Sequence, residues 1–201
     1  MKKIITISRE FGSGGRSIGK RVADKLGYKY YDKELIEKVA EKSGLSKKYV
    51  AEAGEYAPSK SRFSYAFLGR NVNGLSVEDY LWSIQRGIIL DIGKEENCVI
   101  VGRCADHILG DREDCLSVFI HADPKIRAKR IVERYGETDT DPFRRLKDKD
   151  RRRSLNYKYY TDRQWGACDN YDIALNSGTL GLERGGGDVV GRAREKRAGS
   201  R

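Results

Sequence analysis

IITISREFGSGGRSIGKRVADKLG, residues 4–27, is the stretch that decides the fold. It opens as an isoleucine-rich apolar run, passes through Gly12-Ser13-Gly14-Gly15, and resumes with Ile18, Val22 and Leu26 at helical spacing. A buried strand, a glycine turn and a helix start make an anion cradle. Glycines let backbone N–H groups converge on phosphate oxygens, and the helix N-terminus adds partial positive charge. The competing reading is a tight turn that binds nothing.

The loop lacks the usual G-x-x-x-x-G-K-[ST] spelling, and two registers remain open. In one, Gly15-Arg16-Ser17 stands where G-K-[ST] stands. Arg16 then replaces the lysine that reaches the outer phosphates, Ser17 Oγ faces magnesium, and Glu10 takes the first glycine position. A carboxylate there repels phosphate unless it turns away or pairs with Arg9. In the other register Gly15 takes the lysine position and Arg16 lies on the helix.

Outward from this loop, strand patterns alternate with helical ones. YKYYD (28–32), NCVIVGR (97–103), CLSVFIHA (115–122) and YDIALNSG (171–178) read as strands beside residues 3–8. KELIEKVAEKSG and LSKKYVAEAGEY read as helices, the second capped by Ser46, and residues 77–93 recover helical spacing. Pro124 opens a basic helix, and a second charged helix begins near Asp141. Five strands with intervening helices predict an α/β three-layer fold, a five-stranded parallel sheet with helices on both faces. Ligands of such sheets bind at the carboxyl ends of the strands. Residues 8–17, Asp32, Gly102, Arg103, His121 and 176–178 therefore gather at one edge. Residues 57–76 are irregular yet aromatic, which predicts a mobile, partly helical insert over a cleft, about 45–80 overall. The last 21 residues, 181–201, hold three consecutive glycines and six Arg or Lys against three Asp or Glu. Such a basic, glycine-rich tail beyond a single domain, 1–180, is expected to be disordered.

The 201 residues carry a net charge of +10, which favours anionic partners: nucleotides, phosphorylated metabolites or nucleic acid. No apolar run approaches the ~20 residues of a membrane span. Cys98, Cys104, Cys115 and Cys168 show no C-x-x-C spacing, and reduced thiols in a cytoplasmic protein are expected. His107 and His121 have no second histidine at ligand spacing, which argues against a zinc site.

ITISREFGSGGRSIGKRVADKLGYKYYD, VIVGRCADHIL, SVFIHADPKIRAKRI, the Asp150-x-x-Arg153 stretch before YKYYTD, and YDIALNSGTLGLE together resemble the cytidylate kinase-like family. This is a branch of the P-loop nucleoside monophosphate kinases. The likeness spans about residues 2–183. It implies a P-loop NTPase-like fold with a helical lid, about 124–163, and an acceptor-side insert. It also implies ATP and Mg²⁺ as cofactors and small-molecule nucleotides as partners. By this resemblance Gly12, Ser13, Gly14, Gly15, Arg16 and Ser17 hold the donor phosphates, with Ser17 as metal ligand. Arg130 and Arg134 flank the donor, an arginine there packing on adenine. Ser177, in the Asn176-Ser177-Gly178 turn, lies under the donor base. Arg16, Arg153 and Asp150 serve the transfer, Asp150 orienting Arg153 or touching the acceptor. Asp32, Arg103, Asp106 and Arg145 serve the acceptor, with Arg144 as a further clamp. Lys33, Glu34 and Leu35 replace the serine and tyrosine that serve the acceptor in true cytidylate kinases, which leaves the acceptor open.

Phosphoryl transfer needs two anions brought together with positive charge around the moving group. The expectation is ATP-dependent transfer to a nucleoside monophosphate or a related small acceptor. A nucleotide-binding module with little turnover is the alternative, motivated by Glu10 and the missing lysine. Nucleic-acid binding is disfavoured, because RLKDKDRRRS interleaves Asp with its basic residues.

Overall fold

The computed structural model describes residues 1–53 and 76–195. Five strands, β1 (Ile4–Arg9), β2 (Lys29–Tyr31), β3 (Cys98–Val101), β4 (Cys115–His121) and β5 (Ile173–Asn176), form one sheet of order β2-β3-β1-β4-β5. All four pairings are parallel. β1 lies at the centre, in register with β3 from Ile4 opposite Cys98 and with β4 from Ile4 opposite Cys115. Its isoleucines suit this position, because a parallel strand covered by helices on both faces has no solvated side.

Eight helices accompany the strands among the described residues: α1 (Gly15–Leu26), α2 (Lys33–Ser43), α3 (Lys47–Ala53), α4 (Val77–Glu95), α5 (Ala105–Ile108), α6 (Pro124–Tyr135), α7 (Pro142–Thr161) and α8 (Ser177–Arg194). The strand pleat sends alternate residues to two cores. Ile4 joins Leu35, Ile89, Ile100 and Leu109 under α2, α4 and α5. Ile5 and Ile7 join Ile18, Val22, Val118 and Val189 under α1 and α8.

Helix ends follow local chemistry. Ser46 Oγ accepts from the Tyr49 N–H at 3.2 Å and starts α3. Ser76 caps α4 through the Asp79 N–H. Asp123 and Asp141 cap α6 and α7, each followed by a proline in the first turn. Residues 54–75, the bulk of the expected insert, lie outside the described residues.

The expectation of a disordered tail is corrected. Residues 181–194 belong to α8, which packs against α1. Val189 and Ala193 are fully buried and Val190 nearly so, with Leu182 against the same core. Three glycines lower helix propensity, but apolar residues at Leu182, Val189, Val190 and Ala193 bury one face, and packing outweighs propensity. Gly185 and Gly186 keep that face flat where it meets Ile18 and Arg21. The chain breaks its helical geometry only at Gly181, φ 76°.

Candidate phosphoryl-transfer site

The glycine loop joins the carboxyl end of β1 to α1. It closes on itself, because the Glu10 carbonyl accepts from the Ser13 N–H at 3.3 Å and from Ser13 Oγ at 2.9 Å. Gly14 stands at the N-cap with φ 83°, a left-handed conformation, and supplies no side-chain cap. The first-turn N–H groups of Gly15, Arg16 and Ser17 thus have no intrahelical carbonyl to meet and face outward at the positive end of the helix. A Cβ on Gly14 would stand 2.3 Å from Leu182 Cδ2 and would have to hold a left-handed φ of 83°, which favours glycine here.

Above the loop lies a cavity of about 350 Å³. Gly12, Gly14, Gly15, Arg16 and Ser17 line its floor; Arg130, Arg134 and Arg153 line it from α6 and α7. Phe11 and Tyr135, stacked with ring centroids 5.8 Å apart, form an aromatic wall. Arg16 and Ser17 both line this cavity from the first turn of α1. Arg134 donates to Ser17 Oγ at 3.1 Å.

Glu10 also lines this cavity, and its carboxylate is engaged from β4 and α6. Its Oε2 accepts from the Ala122 N–H at 3.1 Å and stands 3.4 Å from Arg127 Nε. Arg127 also donates to the Phe11 carbonyl at 3.2 Å and to Asp150 Oδ2. Asp150 Oδ1 in turn accepts from the Phe11 N–H at 2.7 Å and lies 3.9 Å from Arg153. One network therefore fastens α6 and α7 to the loop, with Asp150 gripping the loop backbone beside Arg153. The sequence sets Arg127 at helical spacing with Arg130 and Arg134 in the basic lid, read together as a phosphate-binding cluster, but its pairing with Glu10 was missed. The signal was present: an unexplained carboxylate in a glycine position needs a cation, and Arg127 stands four residues before the buried Ile131 on the inner face of α6.

On the other side of β1, Asp32 follows β2 and meets Arg16 Nε at 2.8 Å and Arg9 at 3.9 Å. Arg103 follows β3 at a sharp corner. Gly102, Arg103 and Cys104 have φ of 77°, 59° and 53°, three successive left-handed residues. Non-glycine residues rarely hold this conformation outside sites where surrounding structure enforces it. The Arg103 guanidinium donates to Gln85 Oε1 at 3.3 Å, and Gln85 itself is buried. Arg9, Arg103, Arg153 and Asn156 line a second, smaller cavity of about 40 Å³ behind the first. Asn156 is buried, and its Oδ1 has no hydrogen-bond partner among the described residues. Gln85 and Asn156 carried no motif signal, since single amides inside helices read as ordinary surface.

Four expected site residues are placed elsewhere. Ser13 is fully buried beneath the loop, where its N–H and hydroxyl serve the Glu10 carbonyl, so it offers no surface to a phosphate. Ser177 is also fully buried; its hydroxyl donates to the Ser13 carbonyl and accepts from Arg130 at 2.9 Å. A buried hydroxyl must find partners, and these tie β5 to the loop. Arg130 donates to the Ser13 and Ser177 carbonyls, both at 3.1 Å, so it braces the loop while lining the cavity. Asp106 is buried and accepts from Tyr157 Oη at 2.7 Å, on a separate polar crevice with Arg163 and Asp172. Burial pushes its carboxyl up to about 6. Arg145 turns to the α6–α7 loop and donates to the Gly136 carbonyl at 2.9 Å.

The two tryptophans pack against aromatic rings. Trp82 stacks on Tyr160 at 4.1 Å and Trp165 meets Phe119 edge-on. Cys98, Cys104, Cys115 and Cys168 are all free thiols, the first three buried. No helix among the described residues is long and apolar enough to cross a membrane.

A parallel sheet of order β2-β3-β1-β4-β5, with a glycine loop between its central strand and the first helix, defines the P-loop kinase class of α/β folds. The chain belongs to the cytidylate kinase-like family, whose model matches residues 4–179. It is 29% identical over 185 residues to a cytidylate kinase of Archaeoglobus fulgidus, covering 89% of this chain and 88% of that protein. Among solved structures, an uncharacterized protein from Eubacterium ventriosum superposes with a TM-score of 0.73 at 26% identity, covering 96% of this chain and 99% of the other. A shikimate kinase from Acinetobacter baumannii, solved with shikimate, shares the fold at TM-score 0.55 and 10% identity, covering 98% and 95%.

Proposed function

We propose that this protein transfers the γ-phosphoryl group of ATP to a nucleoside monophosphate, cytidylate-like, or to a related small phosphate-bearing acceptor. The observation that carries this reading is the pair of adjoining cavities at the carboxyl edge of the sheet. Arginines from four elements or their flanking turns, Arg9, Arg16, Arg103 and Arg153, line them. Two polyanions brought into contact need such a charge density and little covalent chemistry.

Each group has a task in this scheme. The loop amides and Arg16 hold the outer donor phosphates. Arg134 and the Phe11–Tyr135 wall border the donor. Arg153 reaches the transferring group, held by Asp150. Arg103 meets the acceptor phosphate, and Asp32 orients Arg16. An acceptor that is itself a phosphate requires no strong general base.

The residues also fit magnesium. A phosphate-bound Mg²⁺ takes few protein ligands and keeps its waters. Ser17 Oγ offers an oxygen in the first turn of α1, with the carboxylate of Asp32 close by on Arg16. When bound, the ion would draw charge from the donor phosphate oxygens. Arg134, which donates to Ser17 Oγ at 3.1 Å, would border an ion held there.

A second reading, a nucleotide-binding module with little turnover, draws support from the Arg16–Asp32 pair, which holds the cation in the lysine position against a carboxylate. An ADP-release assay over a panel of nucleoside monophosphates and small hydroxyl acceptors separates the two. Acceptor-dependent turnover lost in Arg16→Ala and Arg153→Ala supports the kinase. ATP binding with no turnover on any acceptor overturns it. The buried thiols and the absence of a membrane-crossing helix among the described residues suit the cytoplasmic setting proposed for such an enzyme.

A further inference from the structure

Arg9 is the last residue of the central strand and belongs to no phosphate-loop motif. Among the described residues, only Arg9 and Arg153 line both the loop cavity and the smaller cavity behind it. The two touch, since Arg153 donates to the Arg9 carbonyl at 3.4 Å. The junction of the two cavities is where a group passing from donor to acceptor must travel.

The surroundings of Arg9 are cut to its shape. A Cβ on Gly102 would stand 1.9 Å from one Arg9 guanidinium nitrogen, and a Cβ on Gly15 would stand 2.5 Å from Arg9 Cβ. One glycine thus makes room for the guanidinium and the other for the stem. Gly102 also needs its φ of 77° to turn the chain out of β3. Opposite them, Asp32 lies 3.9 Å from Arg9 but 2.8 Å from Arg16. One carboxylate between two guanidinium groups leaves a net positive charge.

We propose that Arg9 is a catalytic residue, its guanidinium contacting the transferring phosphoryl group between donor and acceptor. It supplies from the strand the charge that a loop lysine supplies elsewhere. The proposal rests on the kinase reading above. The planar fork of arginine donates to two oxygens at once, which suits a group shared between two anions. No proton or electron passes through Arg9. The bond from the γ-phosphorus to the β–γ bridging oxygen breaks, a bond to an acceptor phosphate oxygen forms, and ADP leaves with the electron pair.

The test uses the full chain with Arg9→Ala and Arg9→Lys. The expected result is a kcat at least ~100-fold lower in Arg9→Ala, the scale of removing one transition-state donor. Lysine restores it poorly. Affinity for a nonhydrolysable ATP analogue, measured by calorimetry, changes little. Added guanidinium chloride, below unfolding concentrations, restores part of the Arg9→Ala rate. An Arg9→Ala rate within about threefold of the parent, a measure of no transition-state role, overturns the proposal while the kinase reading stands. So does a loss of rate that guanidinium fails to relieve and a lowered melting temperature explains. A parent protein that binds the analogue but turns over no acceptor overturns both.

Discussion

The carboxylate of Glu10, in the loop between β1 and α1, meets the guanidinium of Arg127 on α6 at 3.4 Å. The loop therefore tolerates an acid because α6 brings its counter-ion. Arg127 shares that duty with Asp150 of α7, so one buried guanidinium joins the loop, α6 and α7.

Removing the guanidinium leaves two acids and the Phe11 carbonyl without it. Arg127→Met is expected to lose about 3 kcal/mol, since stripping one partner from a buried ion pair strands the other. Urea unfolding of Arg127→Met, Asp150→Asn and the double variant checks this. Coupling appears as a double variant less destabilised than the sum of the singles.

The fully buried Val189 and Ala193 make α8 part of the core. Ending the chain after residue 181 uncovers Ile18 and Val22, and Val189→Asp places a charge against them. Val189→Asp is expected to lower stability by about 3 kcal/mol or more, from lost burial and an unpaired charge. Thermal unfolding measures it. An unchanged melting temperature would show that α8 does not cover α1.

Asp106 adds a pH dependence. Burial raises its carboxyl to about 6 from an ordinary 3.8. The folded protein therefore holds that proton over a range where the unfolded chain has released it. The stabilisation is complete below 3.8 and is lost as pH rises through 6. Melting temperatures of the parent and Asp106→Asn should draw apart between about pH 3.8 and 6, the parent falling relative to the variant. Parallel curves would contradict the assignment.

Asn156 is buried with Oδ1 lacking a partner among the described residues, and such an atom costs about 1–3 kcal/mol. Asn156→Leu, similar in shape, is expected to raise stability by about 1 kcal/mol while raising the KM for the acceptor and sparing ATP affinity. Urea unfolding beside steady-state kinetics reads both effects. Lower stability with unaltered KM would show the amide to be structural.

Much of this fold was legible because its signals are local. Isoleucine runs, glycine turns and prolines with preceding aspartates mark strands and helix starts, and the parallel order follows from alternation. Three of the loop residues that line the cavity, Gly12, Gly14 and Gly15, announce themselves by conformation, and Arg16 and Ser17 by their position after them. What stayed hidden depends on partners distant in sequence. Arg127 answers Glu10, Gln85 answers Arg103, and Arg9 fits glycines at 15 and 102. Ser13 and Ser177 look like site hydroxyls in sequence but meet each other beneath the floor. The tail misled because composition weighs glycines without seeing the α1 surface they lie against.

The Lys2 N–H donates to the Ala193 carbonyl at 2.8 Å, so the first strand and the last helix are neighbours. Residues 4–9 are synthesised long before their strand partners around residues 98 and 115 and before their covering helix. The nascent central strand must be shielded until those partners are made. The glycine bend, wedged beneath Leu182, reaches its working shape only once α8 has folded onto it.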